Sequence, residues 1–328
     1  MILAGDVGGT KTALGLYEPS AGGVQPQREA SFASHDYASL KDVLTEFLTP
    51  HHGRPLHAAC FGVPGAVIDG RVATTNLPWV VDEKELAGFL NTPRVKLLND
   101  LEATAYGSLF SQSNEVSVLN AGTPPKRAAN VAVIAAGTGL GEAILYGDGT
   151  HHHPIASEGG HADFAPRGDE QIELLRYLRD RFADGHVSYE RVLSGPGLHN
   201  IYNFLRDTRF AAEPQWLADA LASGDASATI AAHALAGDDA LCVEALNLFA
   251  DIYGAEAGNL ALKCLAVGGV FIAGGIAPKI LPVLHSGRFM RSFTDKGRFA
   301  ELLRGIPVKV ALNPRTALLG AAHFAVRL

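Results

Sequence analysis

Asn99-Asp100 is the pair of residues in this 328-residue chain best placed to do chemistry. Val95-Lys96-Leu97-Leu98 before it has strand composition, and Leu101 to Leu109 after it reads as a helix with Ala103 and Ala105 inside. The pair therefore sits where a strand ends, and the carboxyl ends of strands in an α/β sheet open onto the ligand crevice. A half-exposed carboxylate there can act on a bound substrate. Asn and Asp also cap helix N-termini, and taken alone the pair favours that use. Its neighbours must decide.

The first neighbour is a glycine turn. Ile2-Leu3-Ala4 and Ala13-Leu14-Gly15-Leu16-Tyr17 read as two strands joined by Gly5-Asp6-Val7-Gly8-Gly9-Thr10-Lys11-Thr12. Paired glycines let backbone N–H groups converge on an anion, and Thr10 and Lys11 add a hydroxyl and a charge. The spacing fits neither GxxxxGK[ST] nor GxGxxG. Alone, it is a hairpin whose glycines supply positive φ. A second turn changes the weighting: Val131 to Ala135, then Ala136-Gly137-Thr138-Gly139-Leu140-Gly141, then Glu142 to Tyr146. Aligning Gly9-Thr10 with Gly137-Thr138 puts strand, turn and strand in register, at a spacing too long for a solenoid repeat. That is the mark of a duplicated domain. A third turn, Gly274-Gly275, follows the apolar run Val270 to Ala273. Three glycine turns at strand ends could surround one nucleotide.

The remaining polar clusters suit a polyhydroxylated ligand. Asn76-Leu77-Pro78-Trp79 offers an amide and an indole at a proline turn, and Glu158-Gly159-Gly160-His161 sets a carboxylate and an imidazole around two glycines. Glu190 lies ahead of Ser194-Gly195-Pro196-Gly197. Each sugar hydroxyl both donates and accepts, so such a site needs several Asn, Asp, Glu or His side chains. His161 could be a core histidine, but it follows two glycines in a loop and not an apolar face, which favours a ligand role. Glu158 is read likewise, whereas Glu190 also suits the first turn of a helix. His151-His152-His153 reads as a solvated loop, since adjacent side chains converge poorly on one ion. Gln171 to Phe182 is an ordinary amphipathic helix.

These groups need elements to position them. The length and an apolar content of 47% suffice for two α/β domains with a cleft between. We expect a small domain of residues 1–110 completed by 312–328, and a larger one over 111–311. Asn313-Pro314 reads as helix N-cap and first helical position, with Ala317 to Val326 docking back on the first domain. The chain then crosses the cleft twice, which makes a hinge. A ligand bridging Asn76 to Asp100 and Glu158 to Glu190 would favour closure. A net charge of −7 without a basic run argues against nucleic acid, and no apolar run reaches the roughly 20 residues of a membrane span. Cys60, Cys242 and Cys264 show no CxxC spacing, so neither a disulfide framework nor a zinc site is expected, and a cytoplasmic location fits.

The three turns resemble those of the family containing actin, the heat-shock ATPases and the sugar kinases. The resemblance implies two ribonuclease-H-like domains (an actin-like ATPase fold) clamping ATP. Its nucleotide site would comprise Gly5, Asp6, Val7, Gly8, Gly9, Thr10 and Lys11, with Gly137, Thr138, Gly274 and Gly275. Asp6 to Thr10, Asn99-Asp100, Glu158 to His161, Val187 to Gly197 and Phe271 to Ile276 together are similar to the bacterial glucokinases outside the zinc-containing branch. The resemblance runs from the first strand to the final helix. It implies transfer of the γ-phosphoryl group of Mg-ATP to the 6-hydroxyl of glucose, with Asp100 as general base at its ordinary pKa near ~3.9. Asn99, Glu158, His161 and Glu190 would bond the glucose hydroxyls, joined by Asn76 from the cluster above. Asp6 would orient Mg2+ through water. Two positions depart from the pattern: Lys11 where many relatives have Asn, and Leu101 where an aromatic is frequent. A kinase for another hexose or an N-acetylated amino sugar is the nearest rival, but the zinc branch carries cysteines soon after the histidine and Ala162 to Asp184 has none. A sugar-sensing repressor of the same fold would need a DNA-binding segment ahead of Ile2. Donor choice and strictness for glucose stay open, and a homodimer is common at this size.

Overall fold

The structure, a computed structural model, describes residues 1–20, 23–51 and 55–328. Its first sheet contains β1 (Ile2–Val7), β2 (Lys11–Ser20), β3 (Gly23–Ala33) and β4 (Ala58–Val63). β5 (Arg71–Ala73) and β6 (Val80–Asp82) form a separate ribbon, and β7 (Val95–Asn99) returns to the first sheet, whose order is β3-β2-β1-β4-β7. β1 pairs antiparallel with β2 and parallel with β4, which in turn runs parallel to β7. β4 is buried throughout, which accounts for its unbroken apolar composition.

The second sheet repeats the plan. β8 (Val116–Asn120), β9 (Val131–Ala136), β10 (Leu140–Gly147), β11 (His152–Ser157), β12 (Gly269–Ala273) and β13 (Val308–Ala311) lie in the order β11-β10-β9-β12-β13-β8. Again an antiparallel hairpin, β9 with β10, is flanked by parallel neighbours, β12 and β13. β8 is an extra antiparallel edge. The duplication visible in Gly9-Thr10 and Gly137-Thr138 is thus a duplication of topology. Behind the second sheet the helix Ala240–Lys263 is buried along most of its length, and Gly254 and Gly258 let it approach the backbone around Phe289 and Phe293 closely.

Two helices join the halves. Asp100–Ser108 follows β7 directly, and the C-terminal helix Thr316–Ala325 packs across it and onto β1 and β4. The crossing is close because a Cβ on Gly107 would strike the Thr316 carbonyl, and one on Gly320 the Ala103 carbonyl. The C-terminal helix starts later than its sequence predicts. Asn313 and Pro314 form a turn outside it, because the Asn313 amide donates to Glu115 Oε1 at 2.7 Å while its oxygen accepts from the Arg315 N–H at 2.8 Å. His152 and His153 also differ from expectation. They lie in β11, with His152 against the Ala129 carbonyl and His153 paired with Asp148. The helix expected at Gln171 to Phe182 spans Gly168–Arg181. Among the described residues no helix is long and apolar enough to cross a membrane.

Candidate active site

A cavity of about 800 Å3 opens at the strand ends of both sheets, and Asn99 and Asp100 stand on its wall. The capping reading of this pair holds, and the cavity wall is where the other would act. Asn99 is the helix N-cap, its Oδ1 accepting the Leu101 N–H at 2.9 Å while the Glu102 carboxylate takes the Asn99 N–H at 2.8 Å. Its Nδ2 also donates to the Gly65 carbonyl at 3.0 Å, which leaves one amide hydrogen and one lone pair for a ligand. Asp100 is the first residue of the helix, where the partial positive charge of the N-terminus favours an anion. Its carboxyl nonetheless lies above the usual range: burial raises it most and the Glu158 charge adds to that, against the opposing Leu101 N–H. The expectation of an ordinary value is therefore corrected, and Asp100 is a stronger base than a solvated aspartate. Leu101 packs on the second domain, with its Cγ 2.5 Å from where a Gly141 Cβ would stand.

The loops of the second sheet supply the facing polar groups. Gly159–His161 forms a 3-10 turn seated on β10, where a Cβ on Gly160 would strike the Leu140 carbonyl. His161 lies between two carboxylates, Nε2 at 4.0 Å from Glu158 and Nδ1 at 3.9 Å from Glu190. These gaps exceed a direct hydrogen bond and suit an intervening hydroxyl. Glu190, in the 3-10 turn Tyr189–Arg191, is held by the Leu140 N–H on Oε2 at 2.9 Å, in space kept open by Gly139. Asn76 is exposed on the wall opposite, its Cβ 2.7 Å from where a Gly9 Cβ would stand. Trp79 is not with it. The indole is buried and donates to the Tyr37 carbonyl at 3.1 Å, a core role.

The three glycine turns differ in what they offer. Of the first, only Asp6 reaches the cavity wall. Gly5 is inside β1, where any Cβ would strike Phe61, and the Val7 side chain is core. Gly8, Gly9, Thr10 and Lys11 form a tip clipped to Ser34, whose hydroxyl donates to the Gly8 carbonyl at 2.7 Å and whose N–H donates to the Thr10 carbonyl. Neither glycine of the tip has positive φ, so that reading fails; Gly9 is required by the approach of Asn76. In the other turns Gly137, Thr138, Gly274 and Gly275 all line the cavity. Gly274 needs its φ of +83°. Gly137 and Gly275 have ordinary φ and nothing within 4 Å of a Cβ position, so neither backbone conformation nor a neighbouring protein atom demands glycine there.

The family model for Glucokinase matches residues 3–328. The chain belongs to the glucokinase family. It is 42% identical over 340 residues to the glucokinase of Nostoc punctiforme, covering 100% of this chain and 99% of that one. To the Synechocystis glucokinase it is 41% identical over 342 residues, covering 98% and 96%. Among solved structures, the glucokinase from an Antarctic psychrotroph is 32% identical with a TM-score of 0.88, over 100% of this chain and 99% of that one. The two halves are accordingly actin-like ATPase domains, each carrying one of the repeated sheets.

Within this glucokinase-family cavity, Asp6 is close enough to Asp100 to feel its charge. Burial first, then the Asp100 charge, push Asp6 up to about 6, with Lys11 opposing. Two acidic groups at a polar wall form a donor set that suits a hydrated hard cation. Among the described residues no cluster of three or more His, Cys, Asp or Glu could hold a metal by itself. The wall also holds Thr75, Thr104, Ser157 and Lys279, which the sequence patterns did not single out. Gly65 was legible in principle: Pro64-Gly65 ends β4, and Gly65 has φ +113°.

Proposed function

We propose that this protein is an ATP-dependent glucokinase that transfers the γ-phosphoryl group of ATP to the 6-hydroxyl of glucose. The carrying observation is one cavity holding a half-buried Asp100 above its ordinary pKa, faced by His161 between Glu158 and Glu190. Asp100 accepts the hydroxyl proton as the new P–O bond forms, and its raised basicity helps at neutral pH. Asn76, Asn99, Glu158, His161 and Glu190 hold the other hydroxyls, each carboxylate able to accept from two at once. Gly137, Thr138, Gly274 and Gly275 cradle the nucleotide, with open space beside Gly137 and Gly275 where a Cβ would stand.

Mg2+ bound with ATP would spread the developing charge on the transferring oxygens. Asp6 is the residue to hold it, through water. The tip Gly8-Gly9-Thr10-Lys11 joins the phosphates when the two domains close, and closure also excludes water, the competing acceptor. Glucose is its small-molecule partner in this reading, and we infer a cytoplasmic homodimer, a common state for enzymes of this size. A coupled assay across a panel of hexoses tests it. Preferred turnover of glucose with Mg-ATP is expected; preference for an N-acetylated amino sugar, or no turnover, would overturn it.

A further inference from the structure

The buried polar groups behind the cavity wall converge on Glu142, in β10. This side chain is 2% exposed, and among the described residues its Oε1 is the one buried side-chain oxygen or nitrogen without a hydrogen-bond partner. Its carboxyl lies within hydrogen-bonding reach of Glu256, which is fully buried on the helix Ala240–Lys263. Glu256 already accepts from Lys263 Nζ at 3.1 Å and Asn259 Nδ2 at 2.7 Å. Two carboxylates can meet in such a place only with a proton between them. Lys263 stabilises the charge on Glu256, so the proton belongs on Glu142.

From this pair two paths lead to the turns of the cavity wall. Glu142 Oε2 occupies the space a Cβ on Gly159 would need, so the carboxyl is the floor under the Gly159–His161 turn. On the other path, Asn259 joins Glu256 to the Tyr189 hydroxyl at 3.1 Å, and Tyr189 precedes Glu190 in its own turn. Lys296 fixes Asn259 through its Oδ1 at 2.6 Å.

We propose that Glu142, protonated and hydrogen-bonded to Glu256, is a positioning residue that sets the His161 turn and the Glu190 turn at their working separation. It rests on the reading of those turns as glucose ligands. Burial first, then the Glu256 charge, push Glu142 up to about 7, with Lys263 opposing. Besides Lys263, the titratable groups that face the pair are Lys296, whose charge acts on Glu256, and Tyr253, Cys264 and Tyr189. As pH rises through neutrality the Glu142 proton leaves to solvent, the carboxylates repel, and the Gly159 turn loses its seat.

The sign follows for stability too. The folded pKa lies above the ordinary 4.5, so the stabilisation is complete below 4.5 and is lost as pH rises through about 7.

The test is KM for glucose and for ATP, with Tm, from about pH 6 to about pH 8 for the natural protein, Glu142→Gln and Glu142→Ala. Gln keeps the shape and the donor of the neutral acid. It should match the natural glucose KM near pH 6 and abolish a rise of about threefold or more toward pH 8. Glu142→Ala should raise glucose KM about threefold or more at every pH while ATP KM holds. A Gln variant that keeps the natural pH dependence, or an Ala variant that loses Tm with glucose KM unmoved, overturns the proposal. If the Ala variant does not fold, the Gln comparison decides. Failure of the glucose reading shows separately, as no turnover by the natural protein. Even then Tm should fall toward neutral pH in the natural protein and less in Glu142→Gln, and equal slopes would refute the shared proton.

Discussion

His161→Ala separates a ligand histidine from a structural one. The imidazole side chain is 59% exposed, with the Glu158 and Glu190 carboxylates at 4.0 and 3.9 Å. So open a side chain contributes little to folding, and its removal should leave Tm within about 2 °C. With glucose bound and the domains closed, the same imidazole would bridge a hydroxyl, and its loss leaves that hydroxyl and a carboxylate under-satisfied. The cost is about 1 to 3 kcal/mol, or roughly five- to 150-fold in glucose affinity. Steady-state kinetics should show glucose KM rising about tenfold or more, with ATP KM at saturating glucose nearly unmoved. A lower Tm with unchanged glucose KM would refute the reasoning, and lost ATP affinity with glucose affinity intact would mean the ends of the cavity are misassigned.

Three further outcomes follow from the geometry. Gly137→Ala meets no protein atom within 4 Å, so Tm should hold while ATP KM rises about tenfold, because the methyl occupies nucleotide space; unchanged ATP KM would remove Gly137 from the nucleotide site. Gly139→Ala puts a methyl 2.5 Å from Glu190 Oε2, so it should raise glucose KM severalfold and leave ATP KM alone; a neutral result would mean that Glu190 shifts freely. Burial opposes the lowering of Asp207, but bonds from Tyr177, Arg206 and Arg181 outweigh it and hold the group at about 2. Its stabilisation is present above the ordinary 3.8 and is lost as pH falls through about 2, so Tm should drop across that window, less steeply in Asp207→Asn; parallel curves would contradict this.

What the sequence revealed depended on locality. Strand composition at Val131 to Ala135 and the glycine run after it define β9 and its turn without outside help, and the same holds for β1. Asn99 with Glu102 is a local capping signal, while the approach of Asp100 to Asp6 arises only because β1 and β7 flank β4. The misread residues are those fixed by distant partners. Gly5 answers to Phe61, Gly9 to Asn76, Asn313 to Glu115, and the Trp79 indole to Tyr37. Glu142 looked like any strand residue, because the pairing that matters comes from Glu256 on a helix far along the chain.

The claim that Asp100 is the general base in a glucose-phosphorylating cavity is tested most directly by Asp100→Asn, with kcat and glucose affinity measured on the same preparation. The amide oxygen still accepts from the Leu101 N–H, as the carboxylate does at 2.9 Å, so the helix start and the glucose site should persist. Glucose Kd within about tenfold and kcat lower by about two orders of magnitude or more is the predicted result. An Asp100→Asn protein that forms glucose 6-phosphate at the natural rate would contradict the account and leave Asp100 only its place at the start of the helix.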